Sequence, residues 1–227
     1  MAQDIGIILC NLQLSKDGSA YCVTGVTLDN ATNIATVDPN LKVYNVNGKD
    51  VQGHFATDYD GAMIDQNVSL VQSILSRPNF FDGNYPVLNV DNLLSGKRPP
   101  RFWLNVQNAA FYTQYGIKAA DTVIELLKAY PTIEFVSSPD IGFLRSIAGK
   151  TNKVKVVFRL LNPTDVEPTT KQPYSNIIKD LPTIKSFASG IMVPKGFIHP
   201  VKPDKYLEPP TAVVADAHKL GLEIYAS

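Results

Sequence analysis

The sequence predicts a parallel α/β fold of the (β/α)8-barrel kind, and three observations lead to this prediction. Beyond residue 101, apolar segments of strand length alternate with segments of helical periodicity at short loop lengths, an order typical of βαβ units. Residues 5–14 form a nearly continuous apolar run, which suits a strand covered on both faces of a parallel sheet. No dinucleotide-binding, Walker or G-x-S-x-G motif follows a strand, which favours a barrel over the α/β folds that carry those motifs.

The first two elements are expected to form a β-hairpin. After the strand at 5–14, Asp17 and Gly18 provide a turn in which Gly18 can adopt a positive φ. Residues 20–24 then return as a second strand. With the turn centred between Asp17 and Gly18, position 11 is predicted to lie opposite position 24.

Residues 26–100 are interpreted as an insertion in the barrel. Hydrophobic periodicity is weak there and turn residues such as Asn47-Gly48 accumulate, whereas 66–75 has the apolar spacing of a helix. A long irregular segment in a compact domain is usually functional or packed on its own residues.

The C-terminal part is predicted to supply most of the parallel sheet. Strands are expected at 102–107, 133–137, 154–161, 187–193 and 222–226, and helices at 117–130, 139–147, 174–181 and 211–220. Ser138 is expected to cap the second of these helices, with Pro139 at its first position, and Gly221 to end the last. Together with 5–14 this gives six parallel strands, whereas a closed barrel takes about eight.

The composition excludes several classes of protein. The chain has 227 residues, with 21 basic and 21 acidic side chains and a formal net charge of zero. A nucleic-acid binder or an anionic-membrane binder would carry a basic surplus, so neither partner is expected. Hydrophobic residues make up 44% of the chain, which is typical of a globular protein, and no apolar run approaches the roughly 20 residues of a membrane span. Residues 1–227 are interpreted as a single domain.

The two cysteines and two glycosylation motifs bear on the cellular compartment. Cys10 and Cys22 flank the predicted turn, so a local disulfide is geometrically feasible; two small apolar residues in strands are an equal alternative. Asn30 and Asn67 each begin an N-x-S/T acceptor motif, which would fit a secreted protein.

The histidines and the acidic residues that follow strands are candidate site residues. The three histidines, His54, His199 and His218, have no partner carboxylate nearby in sequence, which favours structural or solvated roles. Asp140 and Asp165 follow strands, at the barrel face where active sites lie, although Asp140 also suits the first turn of a helix.

Lys195 and the aromatic residues leave alternatives open. Lys195 also follows a strand and would meet an anionic ligand or remain solvated. Trp103 lies among apolar neighbours and is expected in the core. The aromatic residues of the insertion would either line a ligand groove or pack under a long loop; they are Tyr44, Phe55, Tyr59, Phe80 and Phe81.

Several segments together resemble the glycerophosphodiester phosphodiesterase family. They are 12–18 (Leu-Gln-Leu-Ser-Lys-Asp-Gly), 81–88, 102–107 (Phe-Trp-Leu-Asn-Val-Gln), 188–195 and 217–222. The insertion and 188–195 resemble the plant glycerophosphodiester phosphodiesterase-like subgroup, whose members carry two such domains, a signal peptide and a GPI anchor. This chain resembles the first copy.

The resemblance implies a TIM barrel that hydrolyses glycerophosphodiesters to glycerol 3-phosphate and an alcohol. The family reaction uses a divalent cation, Ca2+ or Mg2+, and two histidines as general acid and base. The subgroup implies an extracellular, GPI-anchored protein with a role in cell wall organisation.

The family's functional positions, carried over one by one, fall on residues that cannot perform the reaction. The Glu-x-Asp metal ligands fall on Leu9 and Asn11, and the next metal-binding Glu falls on Gln107. The phosphate-binding Lys falls on Ala109, and the histidine of the hairpin falls on Thr24. The first-strand His-Arg has no counterpart, because the sequence begins after that strand. We therefore expect no catalytic residue, no bound cation and little or no activity, and as a ligand a small anion or a glycan.

Both ends of the barrel are expected to be incomplete, with the first and last strands missing. The strands at 5–14 and 222–226 would then be open apolar edges that favour self-association. We interpret the chain as a fragment of a longer protein. Two functions follow: a metal-dependent phosphodiester hydrolase by family, or a non-catalytic module at the cell surface.

Overall fold

The computed structural model describes residues 6–71, 82–96, 101–150 and 153–227. The chain divides into two compact units, Met1–Ile133 and Glu134–Ser227, which are described separately below.

The first unit is built around strand β1, which pairs with one strand on each side. Its strands are β1 (Ile8–Leu14), β2 (Ala20–Cys22), β3 (Lys42–Val46), β4 (Lys49–Gly53) and β5 (Phe102–Asn105). Strand β1 is antiparallel to β2 and parallel to β5, whereas β3 and β4 form a separate two-stranded sheet. Its helices are α1 (Ile34–Val37), α2 (Gly61–Asn67), α3 (Val90–Leu94), α4 (Ala109–Gln114) and α5 (Ala119–Ala129).

Strand β1 presents two different faces because side chains alternate along a strand. Cys10, Leu12 and Leu14 are buried on one face. On the other face Leu9 is 48% exposed, so the expectation of cover on both faces is wrong at this position. The polar residues Asn11 and Gln13 share the face of Leu9.

The predicted register of the first hairpin is wrong by one residue. Leu12 pairs with Cys22, so Asn11 lies opposite Val23, whose N–H donates to the Asn11 carbonyl oxygen at 3.0 Å. The physical reason is the turn: Ser15 pairs with Ser19 around a three-residue loop that ends in Gly18 at φ 87°, one residue longer than a two-residue turn.

The insertion is more regular than its sequence suggests. Asn47 and Gly48 both have positive φ, 52° and 83°, and join β3 to β4 as a tight hairpin. The predicted helix at 66–75 is displaced: α2 ends at Asn67, Val68 is extended, and residues 72–75 lie outside the described residues.

The insertion has an apolar core of its own, packed on β2. This core contains Tyr21, Val23, Leu28, Ile34, Ala56, Ile64, Val68 and Val87. All of these side chains are at most 5% exposed, so the insertion packs on its own residues and does not depend on the barrel sheet alone.

The second unit contains four parallel strands in sequential order. They are β6 (Ile133–Ser138), β7 (Lys155–Arg159), β8 (Gly190–Val193) and β9 (Glu223–Ala226). The intervening helices are α6 (Ile141–Ile147), α7 (Tyr174–Ile177), α8 (Leu181–Lys185), α9 (Lys195–Ile198) and α10 (Val213–Lys219). Strand β8 is buried throughout, as expected for a parallel strand with helices on its faces.

Three predicted helices are corrected by the structure. Helix α6 begins at Ile141 with Asp140 as its N-cap, because the Asp140 carboxylate accepts from the Phe143 N–H at 3.2 Å; Ser138 is not the cap. The helix predicted at 174–181 is two short helices, α7 and α8. The helix predicted at 117–130 starts at Ala119, and α4 precedes it without having been predicted.

The described residues contain the six parallel strands expected from the sequence, namely β1, β5, β6, β7, β8 and β9. Within those residues no helix is long and apolar enough to cross a membrane.

Candidate functional site

The candidate site lies where the parallel strands β1 and β5 end, because active sites of barrel enzymes sit at the carboxyl ends of the strands. The parallel register places Asn11 beside Asn105, and Leu9 beside Trp103. Asn11 and Asn105 therefore share one face of the sheet, and Gln107 follows two residues beyond the end of β5.

Two hydrogen bonds join three side-chain amides into a small network at this place. The Asn11 Oδ1 accepts from Asn105 Nδ2 at 2.6 Å and from Gln107 Nε2 at 2.8 Å. Asn105 is only 1% exposed, so its amide needs a partner inside the protein. Asn11 Oδ1 is that partner, and the same oxygen also accepts the Gln107 amide.

The other family positions lie in three different surroundings. Leu9 is an exposed aliphatic side chain on the same face as Asn11. Ala109 is 2% exposed and is the first residue of α4. Thr24 is exposed in the bend after β2 and does not face Asn11, because the register differs from the expected one.

Two further polar residues beside the network were not found from the sequence. The Tyr112 hydroxyl donates to Gln13 Oε1 at 2.7 Å and accepts from the Leu14 N–H at 3.3 Å. Gln13 is 2% exposed, and its Nε2 has no hydrogen-bond partner among the described residues. Tyr112 belongs to the unpredicted helix α4, so the sequence carried no signal for this contact.

The donor set at these positions does not fit the divalent cation that the family implies. Ca2+ and Mg2+ bind through several oxygen ligands that include carboxylates, whereas positions 9, 11 and 107 carry an aliphatic group and two neutral amides. The Asn11 oxygen already accepts two N–H groups. Across the described ranges, no group of three or more His, Cys, Asp or Glu residues is arranged to hold a metal ion.

Placing two carboxylates in the amide network is expected to destabilise the protein. In the double variant Asn11→Asp/Gln107→Glu, two negative charges would face each other where Gln107 Nε2 now donates to Asn11 Oδ1 at 2.8 Å. The lost hydrogen bond and the repulsion should lower the free energy of unfolding by about 2 kcal/mol, measured by urea denaturation with a chelator present. Added Ca2+ should recover part of this loss, because carboxylates are its preferred ligands.

The single variant Asn11→Asp is the matched control. Its carboxylate still accepts from the Asn105 and Gln107 amides, so its stability should stay within about 0.5 kcal/mol of that of the unchanged protein. Equal losses in the single and double variants would contradict the network described above.

A disulfide fixes the strand that carries Asn11. Cys10 and Cys22 are bonded, with their Cα atoms 5.0 Å apart, and the bond ties β1 to β2 one residue before Asn11. Of the two alternatives left open by the sequence, a bridge or two small apolar residues, the structure contains the bridge.

His54 is a buried structural residue in the insertion. Its ring Nδ1 lies 2.6 Å from Asp29 Oδ1, and its backbone N–H donates to Asp29 Oδ2 at 2.8 Å. The pair links β4 to the segment before α1. Burial raises the pKa of Asp29, but the hydrogen bonds from the His54 backbone and ring outweigh it and hold the pKa below its usual value.

The Asp29–His54 pair is expected to make stability depend on acidic pH. A carboxyl group whose pKa is depressed in the folded state stabilises the protein above its unfolded pKa, near 3.8, and this stabilisation is lost as the pH falls through the folded value. Asp29→Asn should therefore cost about 1–2 kcal/mol at pH 7 and progressively less below pH 3.8. Urea denaturation between pH 7 and a pH below 3.8 measures this cost. The control is Asp216→Asn, which removes the carboxylate of the exposed pair with Lys219. A pH-independent cost would contradict the assignment.

The remaining charged candidates are solvated or serve local structure. His199 and His218 are exposed, and Asp165 accepts from the backbone and side chain of Asn162. Asp140 serves the local structure of α6 as its N-cap, one position before the first turn in which the alternative interpretation placed it. Lys195 is exposed at the start of α9.

Tyr44 and Phe55 of the insertion pack together with rings of α4 and its end, whereas Tyr59 packs elsewhere. The Tyr44 ring lies 4.8 Å from both Phe55 and Tyr115 and 5.8 Å from Phe111, measured between ring centroids. The Tyr59 hydroxyl donates to Asp38 at 2.9 Å. Trp103 is 7% exposed within β5, and Phe80 and Phe81 lie outside the described residues.

Both glycosylation acceptors are on the surface. Asn30 and Asn67 are exposed, and the Asn67 side chain donates to the Met63 carbonyl oxygen at 3.1 Å. A hydrogen bond to an exposed helix end leaves the Asn67 side chain reachable from solvent.

The chain is similar to plant proteins over nearly all of its length. It is 49% identical over 224 residues to the glycerophosphodiester phosphodiesterases GDPDL7 and GDPDL6 of Arabidopsis thaliana. Each alignment covers 97% of this chain but 29% of the relative, so the chain spans less than a third of the length of these relatives. No protein-family model matches the chain.

A solved structure shows the fold. The glycerophosphodiester phosphodiesterase of Agrobacterium tumefaciens matches 99% of this chain with a TM-score of 0.57 at 16% identity, over 74% of its own length. This likeness confirms the expected fold, a TIM barrel of the phosphodiesterase type, of which the described residues contain six parallel strands. At 49% identity over 97% of its length, the chain is similar to plant proteins of the glycerophosphodiester phosphodiesterase family.

Proposed function

We propose that this domain is a non-catalytic member of the family and acts as a module of a longer cell-surface protein. One observation carries the proposal: where the family places metal carboxylates, Asn11 accepts two amide N–H groups from Asn105 and Gln107. This arrangement uses the Asn11 oxygen for two amide donors and places no negative charge at these positions to hold a divalent cation.

The missing general base supports the same proposal. The family reaction requires an imidazole beside the phosphoryl group, since proton transfer is efficient for groups whose pKa lies near the working pH. Thr24 occupies that position with a hydroxyl group, exposed in a bend and out of register with Asn11. Ala109, in place of the phosphate-binding lysine, carries no charge and is buried.

The second candidate function is hydrolysis by the longer protein. Relatives of this chain are named glycerophosphodiester phosphodiesterases, and this chain corresponds to 29% of their length. A catalytic site elsewhere in the longer protein would be compatible with a non-catalytic domain here. Glycerophosphodiester hydrolysis, and with it glycerol and lipid metabolism, would then belong to the longer protein.

An assay of the longer protein separates the two functions. Release of choline from glycerophosphocholine is measured with Ca2+ or Mg2+ for the unchanged protein and for Asn11→Ala/Gln107→Ala. We expect the double variant to keep the full turnover of the unchanged protein, because the amide network takes no part in the reaction. A loss of tenfold or more in a correctly folded variant would overturn the proposal that this domain is non-catalytic.

An extracellular location is proposed on two features of this chain. The Cys10–Cys22 disulfide suits an oxidising compartment, since disulfides are rare in the cytosol, and the acceptor residues Asn30 and Asn67 are exposed. A role in cell wall organisation and a GPI anchor are proposed with it by family resemblance. Enzymatic removal of N-glycans from protein purified from plant tissue should lower its apparent mass, and Asn30→Gln/Asn67→Gln should abolish that change. Protein without N-glycans at both residues would contradict the location.

A further inference from the structure

A groove that is open to solvent lies in the first unit, lined by parts of α2, α3 and the segment before α3. Its volume is about 690 Å3, which is typical of natural ligand sites. Tyr85 and Leu88, in the segment before α3, are 56% and 39% exposed, and Leu70 and Leu93 add to the apolar lining. Large apolar side chains gathered in one concave surface indicate a binding site, whereas single exposed ones do not.

The backbone that carries these exposed side chains is held at both ends. The Leu70 N–H donates to the Tyr85 carbonyl oxygen at 2.7 Å, and the Cys22 N–H donates to the Leu88 carbonyl oxygen at 2.9 Å. Cys22 is itself bonded to Cys10. The groove therefore exists before a ligand arrives, and binding does not carry the entropic cost of ordering a loop.

The polar side chains of the groove retain unused hydrogen-bonding groups. Asp65 Oδ1 accepts from the Tyr21 hydroxyl at 2.9 Å, whereas Asp65 Oδ2 has no hydrogen bond or ion pair with a described residue. Asn89 Oδ1 accepts from the Asn92 N–H at 3.2 Å, but the Asn92 side-chain amide has no partner in the described part of the chain. The groove thus offers one carboxylate oxygen and one NH2 group to a ligand.

The charge of the groove favours a basic ligand over an anionic one. Asp65 is negative, and no lysine, arginine or histidine of the described residues lines the groove. A positive group on the ligand would therefore be the electrostatic complement of Asp65.

The lining favours a proline-rich peptide over a sugar chain. Six apolar or aromatic side chains and three polar ones line the groove within the described residues. A sugar would bury more hydroxyl groups than these few polar side chains can satisfy, and each unsatisfied group is costly. A proline-rich segment presents apolar rings and backbone carbonyl oxygens, with no N–H at its prolines, so its needs match apolar walls and an amide donor.

We propose that this groove binds a proline-rich segment of a partner protein, with a basic side chain of that segment at Asp65. The segment would lie in the polyproline II conformation, with its rings on Tyr85 and Leu88 and a carbonyl oxygen accepting from the Asn92 side chain. Aromatic-lined grooves recognise such segments because little conformational entropy is lost when a preformed helix binds. The groove shares no residue with the amide network at Asn11, so the proposal does not rest on the absence of catalysis.

Titration of the 227-residue chain with a synthetic peptide tests the proposal. The probe is an N-acetylated peptide of one arginine followed by nine prolines, and calorimetry measures its binding. We expect saturable binding with a Kd below about 1 mM. The same peptide with glutamate in place of arginine should bind at least fivefold more weakly, because its charge would face the Asp65 carboxylate.

Variants of the groove locate the binding. Tyr85→Ala should weaken binding of the arginine peptide at least tenfold, whereas Tyr85→Phe keeps the ring and should bind within threefold of the unchanged chain. Asp65→Asn should abolish the preference for arginine over glutamate, since the amide oxygen still accepts from the Tyr21 hydroxyl but carries no charge. Tyr206→Ala, at a tyrosine that is 73% exposed outside the groove, is the matched control and should leave binding unchanged.

Three results would overturn the proposal. The first is no saturable binding of the arginine peptide by the unchanged chain, and the second is unaltered affinity in Tyr85→Ala that thermal unfolding shows to be folded. The third is binding of cellohexaose that Tyr85→Ala abolishes, which would assign the groove to a glycan. If Tyr85→Ala does not fold, Asp65→Asn decides, because a preference for arginine that persists in this variant contradicts the assigned role of Asp65.

Discussion

Loss of the Cys10–Cys22 disulfide is expected to lower the free energy of unfolding by about 3 kcal/mol. The bond closes a loop with a sequence separation of 12 residues, and the chain-entropy relation for a loop of this size gives about that value. Cys10 is 1% exposed, so Cys10→Ala/Cys22→Ala also removes sulfur atoms from a packed interior. Urea denaturation of the double variant, compared with the unchanged protein, measures the effect.

Reduction provides the control for this prediction. Dithiothreitol should destabilise the unchanged protein by a similar amount and should leave Cys10→Ala/Cys22→Ala unaffected. If the oxidised and reduced proteins unfold at the same urea concentration, the bond does not constrain the unfolded chain as described. Because the bond precedes Asn11 by one residue, its loss should also increase hydrogen exchange at the Val23 N–H, which donates to the Asn11 carbonyl oxygen.

Glu167→Ala is expected to cost about 3 kcal/mol of unfolding free energy. Glu167 is fully buried, and its two carboxylate oxygens accept from the N–H groups of Ile141, at 2.9 Å, and of Thr170. Truncation would leave the buried Ile141 N–H without a partner, at about 1–3 kcal/mol. Thr170 is exposed, so its N–H can turn to water and only the net value of its hydrogen bond, about 1 kcal/mol, is lost there. The loop around Thr169 lies close to α6 here, since a Cβ on Gly142 would stand 2.5 Å from Thr169 Oγ1.

Glu167→Gln separates shape from hydrogen bonding. Its amide oxygen can still accept one N–H, but its NH2 group faces a second donor, so about half of the loss is expected. Glu208→Gln, at an exposed position, should change stability by less than about 0.5 kcal/mol. Urea denaturation measures all three variants. Hydrogen exchange that stays slow at Ile141 and Thr170 in Glu167→Ala would contradict the assigned contacts.

The strands were predictable from the sequence, but their exact pairing was not. Short apolar runs located β1 and the five later parallel strands, because a buried strand can be recognised from the hydrophobicity of its own residues. The hairpin register depended on whether the turn at Gly18 holds two or three residues, and the residue types fit either length. A single-residue difference was enough to move Thr24 away from Asn11.

The contacts of the candidate site depend on residues far apart in sequence. The hydrogen bond between Asn11 and Asn105 spans 94 positions and exists because β1 and β5 pair in one particular parallel register. Family resemblance identified positions 9, 11, 107 and 109, but not the partners Asn105, Gln13 and Tyr112. Glu167 was also missed, because a single acidic residue in a loop gives no local sign that it will be buried.

The most direct test of whether this domain is non-catalytic is an assay of the purified 227-residue chain. It measures turnover of glycerophosphocholine in the presence of Ca2+ or Mg2+. Far-UV circular dichroism and the fluorescence of Trp103, which is 7% exposed in β5, establish that the chain is folded in the assay. We predict no release of choline above that of the heat-denatured chain with either cation. Cation-dependent release that disappears in Asn11→Ala/Gln107→Ala would contradict the claim.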